Sequence, residues 1–438
     1  MMIDFSIEPD FQSKLDWMLD FVKRECEPLD LLLPKHGDPY NTSCSVRNAI
    51  IKPLQREVKR RGLWACHLDT HLGGHGFGQL KLALMNEILG RSHWAPSVFG
   101  TAAPDTGNAE ILAMFGTEEQ KNRYLGPLLE GDIVSCFSMT EPQAGADPKE
   151  FTCRAWDDGE EWVIEGEKWF SSNARYAAFL LVLAVTDPTA STYRRMSMFV
   201  VPSETPGIEI VRNTGTIGDD LSRDEGSHAF IRYHQVRVPK NAMLGDPGMG
   251  FEVAQARLGG GRVHHAMRTV GACQRALEMM LVRARSRRAQ GKMLSDHQFV
   301  QGMVADSVIE LEMLRLLVLK TAWMIDNLPA GAARMHIAMC KSEMAKVLHD
   351  IVRRAIQVHG SYGTSNESPL ARMWQDVLTM GVADGPTEVH KAQVATTVLK
   401  SVESYEGLFP PEHILPRLEA VRTKYADILS ATGQAATP

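Results

Sequence analysis

Residues 380–397 read MGVADGPTEVHKAQVATT and set one carboxylate, Asp384, against Gly385 and Pro386, just ahead of a segment with helical spacing. Asp, Gly and Pro together are ordinary turn chemistry, so a corner leading into a helix is the plain reading. An acid fixed in so stiff a turn is also a candidate general base, because proton removal requires a carboxylate held in one place. Two other stretches have residue types that suit a flat molecule. FSMTEPQAGADPKEF (137–151) follows an apolar strand, and its small and hydroxylated residues leave backbone N–H and C=O groups open to a planar heterocycle. Taken singly, it reads as a β-turn connector. IEGEKWFSSNARYAAFLLVLAV (164–185) runs from a glycine turn through Lys168, Trp169, Phe170, two serines and Asn173 into a buried strand. Its aromatics serve either as core or as a wall beside hydroxyl donors for a flat cofactor. VRVPKNAMLGDPGMGFEVAQARLGGGR (236–262) closes the last strand, turns through Pro239 and two glycine-rich steps, and opens a helical region carrying Arg262.

The hydrophobic period changes twice along the chain. Up to about residue 130 it is helical: LKLALMNEILGR, Asn108 to Phe115 and EEQKNRYLGPLLEG read as helices. Between about 131 and 245 the texture is β, with IVSCFSM, FTCRAW, EWVIEGE, AFLLVLAVT, MSMFVVP, IEIVR and AFIRYHQVRVP as strands and DDGE (157–160) as a hairpin loop. From about 250 helices return, over 250–288, 295–328, 331–359 and 386–404, punctuated at Pro329 to Gly331 and by GSYGTSNESP. The expected fold class is α+β: an N-terminal helical domain (1–130), a middle β-barrel or sandwich domain (131–245) and a C-terminal four-helix bundle (246–438).

At 438 residues the chain exceeds the size, about 250–300 residues, at which single cores stop growing, so several domains are required. A net charge of −6 and the lack of aromatics within VRARSRR argue against a nucleic-acid partner. No run of 18 apolar residues exists, so no membrane span is expected. MMIDFSIEPDFQSKLDW fits neither a secretory signal nor an Arg-rich transit peptide, and ATGQAATP carries no targeting or lipidation motif. Seven scattered cysteines without a C-x-x-C pair point to reduced thiols and a cytoplasmic location. His71 and His75 lack a third ligand, and no metal site is expected. His264 and His265 are adjacent on a helix, point in different directions, and read as polar or cavity-lining residues.

In this order and spacing, the stretches at 137–151, 164–185 and 236–262 resemble the acyl-CoA dehydrogenase family over nearly the whole chain. RSRRAQGKMLSDHQFVQGMVAD and AIQVHGSYGTSNESPLARMWQD resemble two further family segments in the bundle, and ADGPTEVH is most similar to the branch holding family members ten and eleven. The resemblance implies FAD lying between the β domain and the bundle. Phe137, Met139 and Thr140 would meet the isoalloxazine, with Phe170 and Ser172 against the same ring. Arg287 and Gln298, with Gln357, Gly360 and Ser361, would hold the adenosine and pyrophosphate end across a dimer, an apt task for a planar guanidinium. Glu388 is expected near the adenosine or as an acid in the first turn of its helix. Gln290 stands where an aromatic commonly packs on FAD, and Ala146 where a serine commonly helps hold the substrate.

The resemblance also places Asp384, with Gly385 beside it, where most relatives carry a catalytic Glu. A second group carries its Glu one residue before the position of Arg262; here that residue is Gly261. Asp384 is thus the acid at either family position, shorter than Glu by one bond of about 1.5 Å. Arg262 is expected to position substrate or the base loop, and Glu141 to fix the turn of the flavin loop. The implied reaction is α,β-desaturation of an acyl-CoA, with electron-transferring flavoprotein as acceptor and a homodimer or homotetramer as the assembly. Closure over an apolar acyl chain is expected to raise the Asp384 pKa. The alternatives are a flavin oxidase on the same fold, similar to nitroalkane oxidase, and a non-catalytic member that binds FAD.

Overall fold

The computed structural model describes residues 4–32, 38–217, 226–406 and 411–433, so the terminal segments read for targeting signals lie partly outside the described residues. Two compact units, Met1–Lys391 and Ala392–Pro438, divide the chain.

The first unit begins with helices α1 (Pro9–Phe21), α2 (Ser45–Arg60), α3 (Gly78–Leu89) and α4 (Asp105–Phe115), followed by a helical run from Glu118 to Glu130. Helix α1 buries Phe11, Leu15 and Met18, one face of a 3.6-residue period. Its packing partners include Phe99, which meets Phe21 edge-on at 5.9 Å between centroids.

Eight strands follow: β1 (Ser135–Ser138), β2 (Arg154–Asp157), β3 (Glu161–Ser172), β4 (Phe179–Val185), β5 (Met196–Pro202), β6 (Ile208–Thr214), β7 (His228–Pro239) and β8 (Met243–Leu244). They form one sheet in the order β6-β7-β3-β1-β4-β5-β8, with β2 pairing β3 and β4. All seven residues of β4 are buried because both faces of the strand are covered. Phe179, Leu181 and Leu183 pack with Ile111 and Leu112 of α4, while Leu180, Val182 and Ala184 pack with Ile164 and Val236.

Helices α5 (Gly250–Ser286), α6 (Gln298–Asn327), α7 (Arg334–His359) and α8 (Leu370–Val382) then share a core built on Met267, Val270, Leu314, Val318, Met344, Ile351 and Val377. This corrects the expected bundle. Its fourth member is α8, which contributes Leu370, Met373, Trp374, Val377 and Met380, whereas α9 (Thr387–Lys400) buries only His390. The link from α5 to α6 is a short hairpin, β9 (Arg288–Ala289) with β10 (Lys292–Met293), and its turn holds Gln290 and Gly291 at positive φ. The second unit ends in α10 (Ile414–Lys424) and α11 (Ala426–Ala431), neither of which buries a residue.

Candidate active site

Asp384 sits in the corner between α8 and α9 in a left-handed conformation, φ 57°, which Asp tolerates better than most residues. Gly385 follows at φ 106°, and a Cβ there would lie 2.9 Å from His390 Nε2, so this position requires glycine. Two residues from distant helices hold the corner. Arg262 Nε of α5 donates to the Asp384 main-chain oxygen at 3.2 Å, and buried Lys341 of α7 donates to Met380 O at the end of α8. The Asp384 N–H has no acceptor among the described residues.

Asp384 borders a cavity of about 230 Å³. Helix α5 supplies one wall through Arg257, Leu258, Gly261, His264, His265 and Arg268, a spacing that keeps them on one helical face. Tyr40, Gly107, Ser172, Asn173 and His228 form other parts of the lining. The two adjacent histidines diverge as their helix requires: His264 Nε2 meets Gln79 Oε1 at 3.2 Å, and His265 Nε2 lies 3.7 Å from Asp384 Oδ2. Gly261 has no atom within 4 Å of the place its Cβ would occupy, so α5 leaves open space one turn before His265.

The lining is rich in cations. Burial pushes the Asp384 carboxyl up, but His265, Arg257, Arg262 and Lys341 together outweigh burial and hold it below the usual carboxylate value. The shift in this cavity is downward because Arg257, Arg262 and Lys341, with His265 while it is protonated, converge on one acid; the rise expected from the sequence belongs to closure over an acyl chain. Burial lowers Lys341 to about 8 and Arg268 to about 10, and it raises Glu110, on α4, to about 7. Arg257, Arg268 and Lys341 are not singled out by the sequence, whereas His264 and His265, expected as polar or cavity-lining residues, both line the cavity. The legible signal is the 257, 261, 265, 268 spacing, which sets Arg257, Gly261, His265 and Arg268 on one face of α5.

The sheet gathers the residues expected at the isoalloxazine. Phe137 of β1 is the register partner of Ser172 of β3, although they are far apart in sequence. A bulge in β3 between Lys168 and Ser171 contains Phe170 at φ 50°, so Lys168 and Ser171 both point inward while the Phe170 ring turns out. That ring is 45% exposed and stacks on Trp169 at 4.9 Å. Ser172 Oγ pairs with His228 Nδ1 at 2.9 Å, and the Arg257 guanidinium lies 4.0 Å from the Phe137 ring centre. Met139 O and Thr140 O accept from Lys168 Nζ and Trp169 N, both at 2.8 Å. Glu141 fixes the turn as expected, accepting from Lys168 Nζ, Thr152 N and Cys153 N. An exposed aromatic ring beside Ser172 and Asn173 is a surface that a planar cofactor fits.

Of the expected site residues, Asp384 and Ser172 line the cavity itself, while Phe137, Met139, Thr140, Phe170, Arg262 and Gly385 do not. Arg287, Gln290, Gln298, Gln357, Gly360 and Ser361 are exposed on the bundle, and the Arg283 guanidinium over the Tyr362 ring at 5.9 Å links the end of α5 to the turn after α7. Glu388 is exposed in the first turn of α9, where an acid complements the helix dipole. Ala146 is exposed in its loop and does not border the cavity. His71 pairs with Asp69, and no set of three metal-ligating side chains occurs among the described residues.

The family descriptions "Acyl-CoA dehydrogenase, N-terminal domain", "middle domain" and "C-terminal domain" match residues 19–132, 136–223 and 248–399. The chain belongs to the acyl-CoA dehydrogenase family, whose members are FAD-dependent oxidoreductases. It is 41% identical over 405 residues to "Probable acyl-CoA dehydrogenase FadE2" of Mycobacterium tuberculosis, covering 92% of this chain and 94% of that protein. It is also 41% identical to acyl-CoA dehydrogenase family member 11 of Homo sapiens, over 80% of this chain but 45% of that longer protein. A solved structure described as "Structure of a putative acyl-CoA dehydrogenase from Mycobacterium abscessus" matches with TM-score 0.83 at 36% identity, over 90% of this chain and 99% of its own. No described helix is long and apolar enough to cross a membrane.

Proposed function

We propose that the chain desaturates an acyl-CoA thioester between its α and β carbons, with Asp384 as the base. The observation that carries this reading is a carboxylate on a left-handed corner, bordering a cavity and ringed by His265, Arg257, Arg262 and Lys341. Asp384 takes the α-proton on a carboxylate oxygen. Arg262 and Lys341 fix the corner so that the short side chain meets one carbon; a displacement of about 1 Å there costs on the order of 100-fold in rate. As negative charge grows on the thioester oxygen, the Asp384 N–H and the cationic lining stabilise it in a site that excludes water. FAD, when bound, supplies the two-electron acceptor for the β-hydrogen. Phe137, Met139, Thr140, Phe170 and Ser172 hold its ring. Arg287, Gln290, Gln298, Gln357, Gly360, Ser361 and Glu388 serve the adenosine end in a second copy, which their exposure permits.

Self-association is supported by one side of α6, where Phe299, Ile309, Met313 and Leu316 are all exposed, Phe299 at 89%. Electron-transferring flavoprotein is the proposed acceptor of the electrons, and seven free thiols support a reducing, cytoplasmic compartment. A carboxylate lowered by cations also suits a more acidic carbon acid such as a nitroalkane. Steady oxygen consumption with a substrate lacking CoA would favour that second reading. The deciding experiment is anaerobic flavin bleaching across a panel of acyl-CoAs with wild type and Asp384→Asn. Wild type bleaches with some chain lengths, and the variant keeps FAD but does not bleach. Bleaching at the wild-type rate in Asp384→Asn would remove Asp384 as the base.

A further inference from the structure

We propose that His265 is the proton-accepting partner of Asp384: once Asp384 holds the α-proton, the imidazole receives it and returns the carboxylate to its reactive form. The inference rests on the reading of Asp384 as the base. His265 acts through Asp384 and is a positioning residue rather than one that meets the substrate.

Chemistry singles out this neighbour. Four groups face the Asp384 carboxylate: Arg257 and Arg262 of α5, Lys341 of α7, and His265. A guanidinium or an ammonium has no lone pair with which to accept a proton, whereas a neutral imidazole offers one nitrogen. Burial keeps the ring uncharged at neutral pH, with Arg268, Lys341 and Arg257 adding to that effect and Asp384 opposing it. The other nearby imidazoles are engaged elsewhere: His264 with Gln79 Oε1, and His390 with the Asp384 main-chain oxygen at 3.4 Å.

Geometry permits the transfer. His265 Nε2 lies 3.7 Å from Asp384 Oδ2, so an approach of about 1 Å forms an ordinary hydrogen bond. Gly261 provides room for it, since open space lies one helical turn away on the same face. The step is balanced. The O–H bond on Asp384 breaks, an N–H bond forms at Nε2, and carboxylate and imidazolium result, with no oxidant or reductant consumed. It requires the tautomer with its hydrogen on Nδ1. The same three cations that disfavour an imidazolium then speed its discharge, which gives the proton a way out of a cavity that substrate closes to water.

The test mixes FAD-loaded enzyme anaerobically with the best acyl-CoA of the panel, in weak buffer containing a pH-indicator dye, and follows bleaching and proton release together. In wild type the two progress in step. In His265→Asn and His265→Ala, release slows at least tenfold relative to bleaching, the pH dependence of release changes, and added imidazole restores release in His265→Ala. Release that stays in step with bleaching in both variants overturns the relay. Loss of FAD from both variants also counts against it, since the ring would then be structural. Bleaching by Asp384→Asn sinks the base assignment itself; its absence there, with synchronous release in the His265 variants, removes the relay alone.

Discussion

Replacing Lys168 by Met tests whether one buried ion pair holds the loop that carries Phe137, Met139 and Thr140. Lys168 is fully buried, and its Nζ donates to Glu141 Oε1 at 2.9 Å and to Met139 O at 2.8 Å. Burial pushes the Glu141 carboxyl up, but Lys168 and the Thr152 and Cys153 N–H groups outweigh burial and hold it below its ordinary value. Lys168→Met leaves that carboxylate buried without its cation, a loss of about 3–5 kcal/mol. With unfolding entropy of about 2.1 cal/mol/K per residue, the Met1–Lys391 unit converts this into a fall of roughly 4–6 °C in Tm. The pH dependence reverses as well. In wild type the lowered pKa contributes stability that is present above the unfolded carboxylate range and lost as pH falls through the folded value. In the variant burial is opposed by the Thr152 and Cys153 N–H groups without the cation, the carboxyl moves up, and stability is regained as pH falls. Near-UV circular dichroism melts between about pH 3 and 8 (spanning the carboxylate range and the region above it), with flavin fluorescence to report cofactor release, measure both effects. Lys168→Met combined with Glu141→Leu recovers much of the loss, because an apolar pair no longer buries an unpaired charge. A Tm within about 1 °C of wild type for Lys168→Met, or a pH slope of unchanged sign, refutes the reasoning.

Four further outcomes are expected. Adding Gly261→Glu to Asp384→Asn restores measurable anaerobic bleaching, because open space at Gly261 admits a side chain at the second position where relatives carry their acid; no rescue means that this face of α5 does not reach the reacting carbon. Gly385→Ala places a Cβ 2.9 Å from His390 Nε2 at φ 106°, costs about 1–3 kcal/mol in denaturant unfolding, and lowers kcat more than it lowers FAD content. Lys341 has its pKa lowered from 10.5 to about 8, so between those values the unfolded chain binds more protons and stability rises with pH; Lys341→Met flattens that slope in pH-dependent melts. Phe299→Lys with Met313→Lys shifts sedimentation toward the monomer and loosens FAD, whereas an unchanged assembly places the interface elsewhere.

The three-part order of helices, strands and helices was legible because each part keeps one hydrophobic period over many residues. Failures came where local pattern and tertiary partner separate. Helix α8 carries its own signal, with Leu370, Met373, Trp374 and Val377 at i, i+3, i+4 and i+7, yet it sits between two turn-rich stretches and was absorbed into them. Helix α9 is much less amphipathic than α8 and buries only His390, and α8 occupies the place in the core that the sequence assigns to α9. The β3 bulge was not legible at all. Nothing in KWFSS says that one residue is extra, and only pairing with β7 turns Phe170 out while Lys168 and Ser171 stay inward.

Electrostatics was the least legible layer, for a physical reason. Arg257, Arg262 and His265 lie on one helix, Lys341 on another, and Asp384 in a corner beyond both, so the sign of the Asp384 shift depends on distances that no spacing encodes. Burial alone favours the neutral acid, which is what closure over an apolar acyl chain implies. The assembled cavity reverses that, because Arg257, Arg262 and Lys341 favour the carboxylate, as His265 does while it is protonated, and together they exceed the cost of desolvating it. The consequence for catalysis is specific. A base held ionised by its neighbours is ready to accept at neutral pH but binds the proton weakly, so it must either gain basicity when substrate displaces water from the cavity or pass the proton on. The imidazole 3.7 Å away is the acceptor that this geometry offers.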